Sequence, residues 1–433
     1  MPSFADESCV REHPTLSTLA RFGMRMGLDR MRHFLESLGS PHKAVPVIHV
    51  AGTNGKGSTV RMLGSMLRAA GYRVGEYTSP HLQHINERIH VDGQPISDEV
   101  LDSLLGDIDQ ARQRWAAGLD DFVPIDRVLT YFELMTAAAF THFANQSLDV
   151  AVIEVGLGGR LDATNVVDPV LTAITSVGLD HMDQLGDDIA AIAGEKAGII
   201  KKGRPVIVGA MPDSALRVVR AIAHEHNAPT YVNDQEWRVE PGRSGVFSWT
   251  FEGNTEHGLR VGLMGDHQVL NAGVALTALK VMVERFPTPD WGHVLSGLVD
   301  VQHPGRMEWL SPTLLVDSAH NVQGASALAT HLRDIPREGP RTLLLGASND
   351  KDPRAMLGPL ARHVDRVLTT HCSHPRATPA GDLAEQLIDI KIPVLPAGPI
   401  EQALDVARND GSTVIVAGSV FLAGAVRELV GLR

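Results

Sequence analysis

The stretch Val50-Ala51-Gly52-Thr53-Asn54-Gly55-Lys56-Gly57-Ser58-Thr59 constrains this chain more than any other. An apolar, β-branched run from Val45 to Val50 precedes it and reads as a buried strand, and Val60 to Leu67 follows and reads as a helix. Strand, glycine-rich turn and helix place backbone N–H groups and a helix N-terminus around phosphates. Lys56 then offers a point charge to the terminal phosphates, and Ser58 or Thr59 a hydroxyl to Mg²⁺. The spacing is unusual. The common nucleotide loop has about four residues between its first glycine and Gly-Lys, with Ser or Thr directly after the lysine. Here only Thr53 and Asn54 intervene, and Gly57 separates Lys56 from Ser58. Taken alone, the segment also reads as a glycine turn with a solvated lysine.

Length and composition bound the rest. A chain of 433 residues favours two or three domains with sizeable cores. A formal net charge of −12 argues against broad binding to nucleic acid or anionic membranes, yet a local nest of N–H groups still holds a phosphate. Cys9 and Cys372 form neither a disulfide framework nor a zinc spacing. Met1 to His13 has no apolar core of a secretory signal, and no apolar run is long enough to span a bilayer. A cytoplasmic setting is the expectation.

Leu28, Met31, Phe34, Leu35 and Leu38 recur at helical spacing, which predicts a helix over Leu16 to Leu38 ended by Gly39-Ser40-Pro41. From Val45 onward strands and helices alternate, the pattern of a mostly parallel sheet covered on both faces. Predicted strands are Val47–Val50, Arg73–Tyr77, Asp149–Val155, Leu171–Thr175 and Pro205–Val208. Predicted helices are Asp98–Trp115, Thr130–Ala144, Ile189–Ala197 and Ala215–Glu225. A hairpin at Arg88 to Ile96, a meander from Trp237 to Phe251 and a helix from His267 to Val283 complete the first part. Gln302-His303-Pro304-Gly305 breaks the pattern. The expected division is an ATP-binding phosphate-loop domain at 1–300 and a smaller Rossmann-like α/β domain at 301–433. In the latter, Leu314–Val316, Thr342–Leu345, Arg366–Thr369, Val394–Leu395 and Val414–Val416 read as strands and Val420–Leu429 as the last helix.

Several segments carry chemistry. Thr78-Ser79-Pro80-His81 with Asn86-Glu87-Arg88-Ile89 follows the second strand, where α/β proteins bind ligands. Glu154 ends an apolar strand, the place of a Mg²⁺-binding carboxylate in phosphoryl-transfer proteins, and glycines follow it to Asn165. His181, in Gly178-Leu179-Asp180-His181, reads as a metal ligand or as an ordinary polar strand-end residue. Lys196 sits among small apolar residues and must snorkel, pair or lose its charge. Gly305-Arg306-Met307-Glu308 and Asp317-Ser318-Ala319-His320-Asn321 flank the first strand of the second part and suit a site between domains.

In this combination and order the chain resembles the folylpolyglutamate synthase/dihydrofolate synthase family of the Mur ligase superfamily. His49 to Ser58, Thr78 to Leu82, Asn86 to Ile89, Phe132-Glu133, Glu154 to Asn165 and Gly178 to His181 carry the likeness in the first part. So do Glu195 to Ile199, Gly265 to Gln268 and Asn271-Ala272. Pro304 to Glu308, Asp317 to Asn321, Asp350-Lys351-Asp352 and Gly418 to Gly424 extend it through the second. The resemblance implies ATP-dependent joining of L-glutamate to a folate-type carboxylate through an acyl phosphate, with folates or dihydropteroate as acceptor. It implies that Gly52, Thr53, Asn54, Gly55, Lys56, Gly57, Ser58 and Thr59 hold ATP, helped by Asn271, Arg306 and Asp317. It implies two Mg²⁺ sites, one at Ser58 and Glu154, the other at His181, Glu154 and Lys196, the lysine carried as a CO₂-derived carbamate. Lys56, Lys196 and His320 are the catalytic candidates, and Ser79, Pro80, His81, Arg88, Phe132, Arg160, Asp162 and His320 the substrate candidates.

Gly159-Arg160-Leu161-Asp162 resembles the bifunctional bacterial pattern, so dihydrofolate synthase activity is expected too. Three positions depart from the family pattern: Ser318 stands where glycine is usual, Val322 where proline is usual, and His303 where an aromatic often precedes Pro304. The nearest rival, a peptidoglycan-type Mur ligase, needs a UDP-binding domain ahead of the loop, and only 51 residues precede Gly52. A phosphate-loop switch protein has no need of Arg306, Asp317 and His320. A monomer without nucleic-acid or membrane partners is expected.

Overall fold

The computed structural model describes residues 25–119, 128–242, 245–287, 290–409 and 411–432, together with Leu16 and Leu19. The apolar runs of the first part become an eight-stranded sheet in the order β4-β3-β2-β5-β1-β6-β7-β8. Its strands are β1 (Val47–Ala51), β2 (Val74–Tyr77), β3 (Ile89–Val91), β4 (Gln94–Pro95), β5 (Val150–Glu154), β6 (Leu171–Ile174), β7 (Val206–Val208) and β8 (Thr230–Val232). From β2 to β8 every pairing is parallel, and β3 and β4 add an antiparallel edge. β1, β2, β5, β6 and β7 are buried along their whole length, as uninterrupted β-branched runs require.

The meander β9 (Trp237–Pro241), β10 (Val246–Phe251) and β11 (Asn254–Arg260) forms a separate antiparallel sheet. It has no core of its own. Trp237, Phe247, Trp249 and Phe251 join one cluster with the helices Lys56–Ala69 and Asp266–Val281. The last sheet runs β12-β13-β17-β14-β15-β16, made of β12 (Glu308–Ser311), β13 (Leu314–Val316), β14 (Arg341–Leu345), β15 (Arg366–His371), β16 (Val394–Pro399) and β17 (Thr413–Ala417). It is parallel except for its β12 edge.

The expected strands and helices are present with ends moved by a few residues, and the N-terminal helix is the exception. Leu16 and Leu19 are helical and buried, but residues 25–28 are not helical, and Gly27 sits at φ +131°. A new helix, Asp29–Ser37, starts there and buries Met31, Phe34 and Leu35. Sequence reading also missed the helix Trp291–Val299. Gly292 and Gly297 argue against it by propensity. Packing explains Gly297: a Cβ there would lie 2.6 Å from the Ser65 carbonyl oxygen, so the two helices meet backbone to backbone. The Ser65 hydroxyl donates to the Gly297 carbonyl at 2.7 Å.

Glu76, on β2, is 1% exposed and lies between Arg61 and Arg68 of the phosphate-loop helix, the Arg61 bond being 2.8 Å long. Removing the carboxylate leaves two guanidiniums facing a buried gap. Glu76→Ala is expected to cost about 3–5 kcal/mol of stability. Urea unfolding followed by circular dichroism checks this; a midpoint equal to that of the parent chain contradicts it.

Candidate active site

The chemistry-bearing turns leave the C-terminal ends of parallel strands, where such sheets bind ligands. β1 runs into Gly52–Gly55, β2 into Thr78–His81, β5 ends on Glu154, and β6 runs into Thr175–His181. Across from them, β13 runs into Asp317–Asn321 and β17 into Gly418–Val420. The two sets of turns touch. Asn321 donates to Asn54 at 3.0 Å and to Asp180 at 2.9 Å, and Lys351 donates to Asp180 at 2.6 Å.

One cavity of about 310 Å³ is lined by Gly52 to Ser58, Glu154, His181, Lys196, Asn271, Arg306, Asp317 and His320. Gly52 and Gly55 make its floor. Their φ values are +154° and +85°, and a Cβ would collide with Thr175 Oγ1 at 2.0 Å or Asn271 Oδ1 at 2.3 Å. Lys56 folds back so that its ammonium donates to the carbonyls of Gly52 and Thr53, both at 3.1 Å. Gln268 donates to the Ser58 hydroxyl at 3.3 Å, and His303 Nδ1 lies 3.2 Å from the same oxygen. Thr59 is buried one residue further along and lies outside the cavity lining, so of the two hydroxyls only Ser58 reaches it.

Electrostatics mark the same place. Glu154 is 4% exposed and accepts from the Ser79 N–H at 3.0 Å. Burial raises its pKa, against the pull of Lys56. Lys196 is 3% exposed, and its Nζ donates to the Gly52 carbonyl at 3.2 Å. Burial, then the charge of Lys56, pushes its pKa down to about 7. It does not snorkel, and among the described residues it pairs with no carboxylate. His320 donates from Nδ1 to the Ser318 carbonyl at 2.9 Å, leaving Nε2 unprotonated toward Asp180, and burial pushes its pKa down to about 4. Burial opposes ionisation of Asp180, but Lys351 and Asn321 hold it well below the usual carboxylate range.

Among the described residues no three His, Cys, Asp or Glu side chains gather into a cage for a metal. Ser58, Glu154, His181 and Lys196 line one cavity with the phosphate loop; the Ser58 hydroxyl and the Glu154 carboxylate suit Mg²⁺, which takes one or two carboxylates and completes its shell with phosphate oxygens and water.

A second cavity of about 490 Å³ is lined by Ser79, Pro80, His81, Arg88, Phe132, Asp162, His181 and His320, so it shares a wall with the first. Tyr131, Phe132 and Phe421 give it aromatic surface, and Phe421 stacks on His374 at 4.0 Å between ring centroids. Arg160 does not reach this cavity. Its side chain points outward and forms a two-pronged pair with Glu195, at 3.0 and 2.7 Å. Asp317 lines the first cavity, but its carboxylate accepts from the Met307 and Ala319 N–H groups, both at 2.8 Å, and so fixes the linker and the turn. Sequence reading gave no role to Asp180, Lys351 or Arg376, which line the second cavity or bridge the two halves. For Asp180 and Lys351 the signal was present, since both lie within quoted motifs.

A phosphate loop facing a second α/β sheet across a shared cavity defines a Mur-type ligase. Residues 115–279 match the Mur ligase middle domain, and residues 305–420 match the Mur ligase glutamate ligase domain. The chain belongs to the dihydrofolate synthase/folylpolyglutamate synthase family. It is 35% identical to the dihydrofolate synthase/folylpolyglutamate synthase of Bacillus subtilis (strain 168), over 94% of this chain and 96% of that one. It is similar to the Mycobacterium tuberculosis folylpolyglutamate synthase solved with ADP (TM-score 0.88, 35% identity, 97% and 99% of the two chains). It is also similar to a bifunctional folylpolyglutamate synthase/dihydrofolate synthase solved with manganese, AMPPNP and L-glutamate (TM-score 0.84, 34% identity, 96% and 97%).

The Lys196 environment generates a pH prediction. A lysine with a folded pKa of about 7 binds fewer protons folded than unfolded between that value and its ordinary value of 10.5. Stability therefore rises with pH through that window, and the cost of the buried ammonium is complete below it. Lys196→Met is expected to raise the Tm of the ligand-free protein at pH 6, with the gain shrinking toward pH 10. Calorimetry across this range checks it; a gain independent of pH contradicts it.

Proposed function

We propose that this chain is an ATP-dependent ligase that joins the amino group of L-glutamate to the carboxylate of a folate-type acid through an acyl phosphate. One observation carries the reading: the phosphate-loop cavity and the aromatic cavity meet at Ser79-Pro80, beside Glu154, His181 and His320. An acid bound in the aromatic cavity thus presents its carboxylate to the terminal phosphate. Family membership supports the same chemistry.

A carboxylate is a poor electrophile, and phosphorylation gives it a good leaving group. The attacking carboxylate and the triphosphate repel each other. Lys56 and Arg306 offset that repulsion from the protein side. Bound divalent cations, held by Ser58, Glu154, His181 and Lys196, would neutralise phosphate charge. The loop amides of Gly52 to Gly57 and Asn271 hold the nucleotide, and Asp317 sets the turn that carries His320. Lys351 and Arg376, on the second-domain wall of the aromatic cavity, suit the carboxylates of the incoming glutamate. His320, neutral with an unprotonated Nε2, is placed to take the proton that the amine loses on attack.

Lys196 fits a carbamate. A pKa of about 7 gives a substantial neutral-amine fraction at neutral pH. The amine nitrogen adds to the carbon of CO₂ and releases one proton, and the product carries two oxygens and a negative charge suited to a hard cation. We divide the chain into a nucleotide domain at 1–300 and a glutamate-ligase domain at 301–433, and place it in the cytoplasm as a monomer, since one chain supplies every candidate residue. No helix among the described residues is long and apolar enough to cross a membrane. We assign both folylpolyglutamate synthase and dihydrofolate synthase activity.

Lys56→Ala is expected to keep the parent circular dichroism spectrum and lose about 10²–10³-fold in kcat. Purified protein given ATP, Mg²⁺, L-glutamate and either dihydropteroate or tetrahydrofolate should release ADP only when acid and glutamate are both present. ADP release without them returns the switch-protein reading, and turnover with tetrahydrofolate alone removes the dihydrofolate synthase assignment. Incubation with ¹³C-bicarbonate should give a carbamate resonance that is absent from Lys196→Ala and Lys196→Arg. An identical spectrum in all three proteins removes the carbamate.

A further inference from the structure

His49 is the one polar residue of β1 and is completely buried. Valine or isoleucine would fill that place without a polar atom to satisfy. Its Nε2 lies 2.8 Å from Thr164 Oγ1, and the same hydroxyl donates to Asp162 Oδ1 at 2.5 Å. Asp162 Oδ1 also accepts from the Thr164 N–H at 3.0 Å, and Oδ2 from the Leu157 N–H at 2.9 Å. An ionised carboxylate only accepts, so the Thr164 proton points at Asp162, and the Thr164 oxygen accepts from His49. This fixes the imidazole as the Nε2–H tautomer. Its Nδ1 is buried with no hydrogen-bond partner among the described residues, an expense that β1 has no packing reason to carry.

We propose that His49 and Thr164 are positioning residues that hold Asp162 as an oriented hydrogen-bond acceptor for N–H donors of the heterocyclic end of the acid substrate. The proposal rests on reading Asp162 as a substrate contact. Asp162 is buried yet lines the aromatic cavity, with Oδ1 held by the Thr164 hydroxyl and N–H and Oδ2 by the Leu157 N–H. Burial raises its pKa and so favours the neutral acid, whereas the donors favour the ion. His49 itself stays neutral, because burial and then Lys201 push its pKa down to about 3. It therefore contributes a dipole and a fixed proton, never a charge.

The test compares KM for the acid, whichever of dihydropteroate and tetrahydrofolate the parent enzyme turns over, with kcat and with KM for ATP. Thr164→Val keeps the shape and removes the hydroxyl; the acid KM should rise about tenfold, with kcat and the ATP KM within about twofold. Thr164→Ser should restore the parent value. His49→Leu should raise the acid KM about threefold, and the double variant should match Thr164→Val alone, since both act through one hydroxyl. Multiplying effects, no rescue by serine, or an equal rise in the ATP KM would mean loosening of the strand under the phosphate loop and overturns the proposal. Asp162→Asn separates the two layers. If it leaves the acid KM unchanged, the substrate-contact reading fails; if it raises the acid KM while Thr164→Val does not, the chain alone fails. Imidazole ¹⁵N spectra of the unsubstituted protein provide a check independent of folding of the variants. An unprotonated Nδ1 on His49 is expected, and a protonated one overturns the chain.

Discussion

The parallel register of β5, β1 and β6 is the constraint on which the site depends. Val50 pairs with Glu154, and Ala51 with Ile174, so the three strands end at one level. Neighbouring strands lie about 4.8 Å apart. The glycine turn after β1, the carboxylate ending β5 and the turn to His181 after β6 are therefore neighbours before any side chain chooses a rotamer. A register slip of one residue in β5 would turn Glu154 to the other face of the sheet. The buried, β-branched composition of these strands fixes the register, so the core and the site are one arrangement.

The second consequence is electrostatic. Lys56 and Lys196 share one cavity, and both donate to the Gly52 carbonyl. Two ammonium groups converging on one carbonyl in a buried place are costly unless one gives up its proton, and the depressed pKa of Lys196 is that outcome. Glu154 shows the complementary strain, a carboxylate pushed toward its neutral form by burial. Both groups become easier to accommodate once phosphate and a divalent cation enter, because each then has a counter-charge. The ligand-free site stores binding energy in this sense: its charges are arranged for a partner of known chemistry.

Much of this was legible in the sequence, because the fold follows from apolar runs of strand length alternating with helical periodicity, and the loop residues occur in short contiguous motifs. The misreadings share a cause: they depend on packing partners distant along the chain. The predicted helix Leu16 to Leu38 fits the periodicity, but Gly27 takes a conformation the periodicity cannot reveal. Helix Trp291–Val299 contains the glycines that count against a helix, and only the approach of Ser65 shows why Gly297 is required. Arg160 lies in a glycine-rich loop from which Gly156, Leu157, Leu161 and Asp162 line the aromatic cavity, yet Glu195, 35 residues away, draws it outward. Asp180 was read as a neighbour of His181, and its tie to Lys351, 171 residues on, needed three dimensions.

The two sheets meet the same problem, fixing a turn at a strand end, by different means. The first uses glycines, whose freedom lets the backbone itself approach the ligand. The second has Asp317-Ser318-Ala319-His320 after β13, and without that freedom it fixes the turn by spending a buried carboxylate on two amides. One of those amides belongs to Met307, in the linker between the sheets, at φ +45°. The group that shapes the turn carrying His320 thus also fixes the linker on which the second sheet is mounted. Asn321 and Lys351 complete the join by gripping Asn54 and Asp180 from across the cavity. These contacts are polar and sit among the candidate substrate groups, so reactants that enter must compete with them. Occupancy of the cavity and the contacts between the two sheets therefore draw on the same few side chains.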